Sequence, residues 1–122
     1  MTPLVLLAVA VGGALGAVLR QLTSVSLAGR GRVPLGVLVV NTVGSFVAGV
    51  ALGAPIDPTV QLIIVSGLCG GLTTFSTFAV ETIQLVMAGK HRAALMSVGQ
   101  NLVWGIAAAL IGLALGLVVG QG

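Results

Sequence analysis

The sequence predicts an all-α membrane protein with four transmembrane helices, the third of them broken. Three observations lead there. Of 122 residues, 57% are hydrophobic and only 6% are charged, whereas an ordinary soluble domain carries about 25% charged residues. Mean hydropathy is +1.23. The apolar residues fall into four runs, at about 3–26, 34–53, 58–88 and 93–119, each near or above the roughly 20 residues that a helical span requires. Residues 1–122 therefore read as a single four-helix unit with short connections and almost no extramembrane mass.

The first run has no basic residues ahead of it and is too long for an apolar signal core followed by cleavage, so it reads as a retained helix. Gly12 and Gly16 lie four apart within it, the small-xxx-small spacing that lets helix backbones approach closely. Arg20 stands several residues inside the end of this run. Its side chain either snorkels to the interface or forms an electropositive vestibule that concentrates an anion. The second run carries Asn41 and Ser45 four apart, with Thr42 beside them, and then Gly49 and Gly53. Asn41 reads either as a hydrogen bond between helices or as part of a polar path.

The third run is the most informative. At about 31 residues an unbroken helix would be some 46 Å long, against a hydrocarbon core of about 30 Å. Residues 67–81 read GLCGGLTTFSTFAVE, placing glycines and hydroxyls where lipid offers no hydrogen bonds. A backbone break at that depth survives only if it is buried in protein or lines a wet cavity; the alternative is a small-residue packing face. A break near 70–74 would give two half-helices. Carbonyls ending the first suit a cation and N–H groups opening the second suit an anion. Thr73, Thr74 or Ser76 can cap the restarting helix. Thr73, Thr77, Glu81 and Gln84 recur at about one-turn spacing as a polar stripe, with Phe75 and Phe78 on a neighbouring face. Glu81 is an ionisable group within a span, where such groups usually mark a pathway or a pair.

In the fourth run Gly112, Gly116 and Gly120 repeat the small-residue spacing. Trp104 falls near the middle of this run, away from the interfacial belt where tryptophan is usually found, and packing is the only role the sequence suggests for it. Net charge is +3, but the five Lys and Arg are scattered at span ends and form no stripe for nucleic acid. Cys69 is the single cysteine, so no disulfide forms within one chain. His91, between Lys90 and Arg92, reads as a solvated loop residue. No metal-ligand cluster, nucleophile–base pair or phosphate loop occurs, and an enzyme reading has no residues to rest on.

Three segments carry a resemblance to a known family: GGALGAVLR at 12–20, NTVGSFVAG at 41–49, and above all GLCGGLTTFSTFAVE at 67–81. Over essentially its whole length the chain resembles the Fluc/CrcB fluoride channels. The resemblance implies a dimer of four-helix subunits packed antiparallel in the cell membrane, with two anion pathways along the subunit interface. It implies a structural sodium ion, Na+, at the dimer centre, held by backbone carbonyls matching Gly70 and Thr73. Phe75 and Phe78 match paired rings whose edges face fluoride, in keeping with the positive edge of the aromatic quadrupole. Asn41 matches a pathway asparagine whose amide can donate to an anion. Ser76 and Thr77 match a polar track, Glu81 its acidic end, and Arg20 a vestibule arginine. Members commonly carry a tyrosine and serines in the fourth span; this chain has no tyrosine, and only Ser97 and Asn101 offer polarity there.

The resulting expectation is a passive channel subunit, embedded in membrane lipid, that lets fluoride leave the cell and so reduces its toxicity. A small drug/proton antiporter of four helices is the alternative, but that class needs a carboxylate in the first span and none is present. A third reading is a structural proteolipid without transport. All five basic residues fall on the side of the first and third loops, and the middle loop holds only Asp57. The positive-inside rule then places the basic side in the cytoplasm and both termini outside. So strong a bias suggests one fixed orientation and a heterodimer with a related, oppositely oriented subunit, in place of a dual-topology homodimer.

Overall fold

The computed structural model describes residues 2–121. Helix α1 (Pro3–Ser26) opens with Pro3 in its first turn and Thr2 as cap, the Thr2 hydroxyl accepting from Val5 N–H at 3.2 Å. This satisfies one of the N–H groups that a helix start leaves free. Helix α2 (Leu35–Gly53) follows a loop and ends at Ala54, whose backbone is extended. Pro55 comes next, and the residue before a proline is disfavoured in helical backbone. Asp57 then caps α3 (Pro58–Leu62), accepting from Thr59 N–H at 2.8 Å.

The third span continues through a π-helical segment (Ile63–Cys69) into the single turn α4 (Gly70–Leu72). It breaks at residues 73–75 and restarts as α5 (Ser76–Met87). A corner closes α5 in the Schellman arrangement: Lys90 N–H donates to Leu85 C=O at 2.8 Å and Gly89 N–H to Val86 C=O at 3.0 Å. Gly89 at φ 78° makes that turn possible. Helix α6 (His91–Gln121) completes the unit. His91 is thus the first residue of a helix, exposed at its start, and not a loop residue.

Among the described residues four helices, counting Pro58–Met87 as one bent span, are long and apolar enough to cross a bilayer. Large apolar side chains cover the outside of the bundle, Leu4, Leu22, Leu95, Leu110 and Trp104 among them, as expected when the solvent is lipid. The interior is built from small residues. Glycines pair in two zippers, α1 against the first half of the third span and α2 against α6. A Cβ on Gly71 would land on the Gly13 carbonyl, and one on Gly16 on the Leu68 carbonyl. In the second zipper a Cβ on Gly49 would strike the Ala109 carbonyl and one on Gly112 the Phe46 carbonyl. With little hydrophobic drive between helices in lipid, such close approach supplies the association energy as dispersion. The two halves of the third span pack on different neighbours, the first on α1 and α2 and the second on α6. The break is therefore a change of packing partner near the middle of the span.

Candidate functional site

Where the third span breaks, Asn41 of α2 takes over hydrogen bonds that a continuous helix would have made. Its Oδ1 accepts from Thr74 N–H at 2.8 Å and its Nδ2 donates to the Thr74 carbonyl at 3.1 Å. Nδ2 also donates to Asn101 Oδ1 at 3.2 Å, and Asn101 Nδ2 donates to the Ser97 carbonyl at 2.9 Å. The amide orientations are fixed by this relay, since only one setting gives each group a partner of opposite kind. Thr74 is buried, and its hydroxyl accepts from Thr77 N–H at 3.1 Å. Among the three capping candidates, Thr74 therefore caps α5. Asn41 has no amide hydrogen to spare here: donation to an anion would require release of Thr74 or Asn101.

A cavity of about 440 Å³ lies beside this relay, bordered by Asn41, Ser45, Thr74, Phe75, Phe78 and Asn101. The Phe75 and Phe78 rings sit 6.0 Å apart between centroids, tilted by 51°, a separation typical of paired aromatics. Phe78 is half-buried and Phe75 is 78% exposed. Two donors on the cavity wall have no protein acceptor among the described residues. One is the Ser45 hydroxyl; the other is the second Nδ2 hydrogen of Asn101. The arrangement joins polarised hydrogens with two aromatic rings and, among the described residues, contains no carboxylate, so it offers donors to an anion and no charged ligand to a cation.

The remaining residues singled out in the sequence lie elsewhere. Thr73 is not part of the α5 stripe: its backbone is extended, its hydroxyl donates to the Cys69 carbonyl at 2.9 Å, and its methyl abuts Gly44. The stripe reduces to Thr77, Glu81 and Gln84. Ser76 is exposed and its hydroxyl lies 3.4 Å from that of Thr74. Glu81 and Gln84 border a second cavity, of about 430 Å³, at the end of the bundle where Arg30, Arg32 and Lys90 gather. One carboxylate oxygen of Glu81 is buried without a hydrogen-bond partner among the described residues. Arg20 is half-buried on α1 and borders neither cavity.

No protein donor among the described residues reaches the carbonyls of Gly70 and Thr73. Thr74 N–H, which would have closed the bond to Gly70, goes to Asn41 instead. Gly70 is also exposed. These carbonyls have the oxygen character that a hard monovalent cation takes. Thr74, Ser45 and Asn101 were not recognised in the sequence as one site. The four-residue spacings of Asn41 with Ser45 and Ser97 with Asn101 were the available signal, but nothing local paired one helix with the other.

The family model described as CrcB-like protein, Camphor Resistance (CrcB), matches residues 7–113. The chain belongs to the CrcB family. Among CrcB relatives, a Methanopyrus kandleri protein named fluoride-specific ion channel FluC is 43% identical over 122 residues, spanning 96% of this chain and 92% of the relative. One from Thermobifida fusca, named fluoride-specific ion channel FluC 1, is 43% identical over 107 residues, 86% of this chain and 89% of its own. Another FluC 1, from Yersinia pseudotuberculosis, is 46% identical over 91 residues, 70% and 72% of the two chains.

Proposed function

We propose that this chain is a subunit of a fluoride-selective ion channel that passes fluoride out of the cell by diffusion. The observation that carries the reading is the cavity at the break, where Ser45 and Asn101 hold unused donors beside the Phe75–Phe78 pair. The names of the CrcB relatives agree with it. Fluoride is small and strongly hydrated, so a path must replace its lost water with N–H, O–H and ring-edge contacts without binding it too firmly to leave. Asn41 holds the break open by clamping Thr74. Asn101 and Ser45 donate to the anion, and the phenylalanine edges complete its shell. Ser76, Thr77 and Glu81 extend the polar path along α5, and Arg20, which borders neither cavity, adds positive potential from α1 at longer range.

The working unit is a dimer embedded in lipid, the second subunit inverted relative to the first. Phe75, Ser76 and Gly70 are all exposed in the single chain at mid-membrane depth, where polar and irregular backbone has to be covered. A structural sodium ion fits the free Gly70 and Thr73 carbonyls. When bound, it would neutralise the partial charges of those carbonyls. The antiporter alternative finds no support: α1 contains no Asp or Glu. The membrane is the plasma or inner membrane, and no catalytic residue takes part.

Fluoride efflux from sealed liposomes, followed with an ion-selective electrode, tests the reading. Efflux well above that of empty liposomes, with chloride excluded, is the expected result; a proton-coupled cation flux without fluoride flux would replace it with the antiporter.

A further inference from the structure

Four of the five basic residues gather at one end of the bundle, and the backbone holds three of them in fixed positions. Arg30, Arg32 and Lys90 each follow a glycine of positive φ: Gly29 at 76°, Gly31 at 82° and Gly89 at 78°. L-residues with a side chain rarely adopt that region, so the turns that present these cations are specific to glycine. Lys90 is further pinned from both sides. Its N–H closes the α5 corner on Leu85, and its carbonyl accepts from Ala94 N–H at 3.0 Å to open α6.

Arg32, Lys90 and Arg92 converge on a cavity of about 340 Å³, whose floor is Ala93 and Met96. No acidic residue among the described residues borders it, although Arg32 and Lys90 also border the neighbouring cavity that holds Glu81. Three cations above an apolar floor, at the end of membrane-spanning helices, match a phosphodiester joined to acyl chains. Guanidinium groups bind such oxygens in bidentate fashion, and an ammonium adds a point charge. Zwitterionic lipid would bring its own cation into the same space. We propose that this cavity, which shares no residue with the one at the Phe75–Phe78 pair, is a binding site for the headgroup of an anionic phospholipid. The headgroup would bridge the loop before α2 and the corner before α6, and so tie the two ends together.

The test is native mass spectrometry of the detergent-purified protein, titrated with equal amounts of phosphatidylglycerol or phosphatidylcholine. The wild type is expected to retain phosphatidylglycerol preferentially. Each cation removed from the cavity should weaken that retention roughly fivefold, the size of one basic residue's contribution at an anionic surface. Arg32→Gln, Lys90→Gln and Arg92→Gln are therefore expected to lose the preference stepwise, while Arg30→Gln, outside this cavity, keeps it. A gel-filtration profile and a thermal unfolding curve in detergent like those of the wild type show which variants are folded. Equal retention of the two lipids by the wild type overturns the proposal. So does an equal loss in Arg30→Gln, which would mean attraction by diffuse charge. Displacement of the lipid by millimolar inorganic phosphate would assign the cavity to free phosphate and overturn it as well.

Discussion

The side-chain amide of Asn41 grips one peptide unit of another helix from both sides, accepting from Thr74 N–H at 2.8 Å and donating to Thr74 C=O at 3.1 Å. The two residues lie 33 positions apart in the chain, and the contact substitutes for helical bonds lost at the break. Asn41→Leu leaves both backbone groups of Thr74 unpaired where neither lipid nor protein can serve them. An unpaired buried group costs about 1–3 kcal/mol, whereas hydrogen bonds between membrane helices average only about 0.6 kcal/mol. The first figure governs here, because the break has no alternative partner. Asn41→Leu should lower the thermal unfolding temperature in detergent and abolish flux. Asn41→Asp should do no better, since its carboxylate would face the Thr74 carbonyl and Asn101 Oδ1. Wild-type stability in either variant would remove the clamp from the account.

The ring pair makes a separate expectation. Phe78 is half-buried at the cavity wall and Phe75 is mostly exposed. Phe78→Ile keeps bulk and loses the quadrupole, so fluoride flux should fall at least tenfold while the protein elutes and unfolds like the wild type. Wild-type flux from a folded Phe78→Ile protein would count against an anion role for that ring.

Much of this arrangement was legible in the residues themselves. The break is where the glycine and hydroxyl cluster puts it, and the four spans begin and end within two residues of the apolar runs, because composition alone separates lipid-facing helix from loop. Three features were not legible. The π-helical stretch 63–69 leaves no mark in an evenly apolar segment. His91 joins α6 because the Gly89 corner turns the chain within two residues, so no loop remains for it. The Asn41–Thr74 and Asn41–Asn101 pairings depend on which helix lies beside which, and glycine spacing marks a close-packing face without naming its partner.

Thr73 separates side-chain from backbone roles at the proposed cation site. Its hydroxyl donates to Cys69 C=O and its methyl fills the space against Gly44, so neither is turned to a ligand. Thr73→Val keeps the methyl and the backbone, and should retain sodium dependence of stability. At Gly70 a Cβ would meet only the Val65 carbonyl, at 3.8 Å, within this subunit, so a loss of sodium dependence in Gly70→Val would come from crowding the facing subunit. If exchange of sodium for a bulky organic cation changes neither unfolding nor flux, the ion has no structural part.

Glycine substitutions should divide sharply by contact. At Gly112 a Cβ would meet the Phe46 carbonyl, while at Gly99 nothing lies within 4 Å. Gly112→Ala should destabilise by about 1–3 kcal/mol, as overpacking does. Gly99→Ala should be neutral or stabilise by up to about 1 kcal/mol through helix propensity. Unfolding measured side by side in one detergent checks both, and equal effects would mean that the α2–α6 zipper is looser than its backbone contacts imply.

Orientation follows from charge. Arg30 and Arg32 of one loop and Lys90 of another border a single cavity, so the basic loops share one end of the bundle, while the loop between α2 and α3 carries Asp57 alone. The positive-inside bias acts on short loops such as these and here points one way only. The expected outcome is a single orientation, basic end in the cytoplasm. Single-cysteine variants in a Cys69→Ala background, one at Ile56 and one at Gln84, can be labelled in intact cells with an impermeant maleimide. Ile56→Cys should label from outside and Gln84→Cys should not. A subunit fixed in this way cannot meet an inverted copy of itself in the cell membrane. In cells it would therefore need a partner of opposite charge bias and expression alone should give little efflux, whereas subunits mixed in detergent can pair inverted before they enter liposomes. Equal labelling at both positions would show that the chain inserts both ways, and an inverted second copy would then suffice to complete the channel.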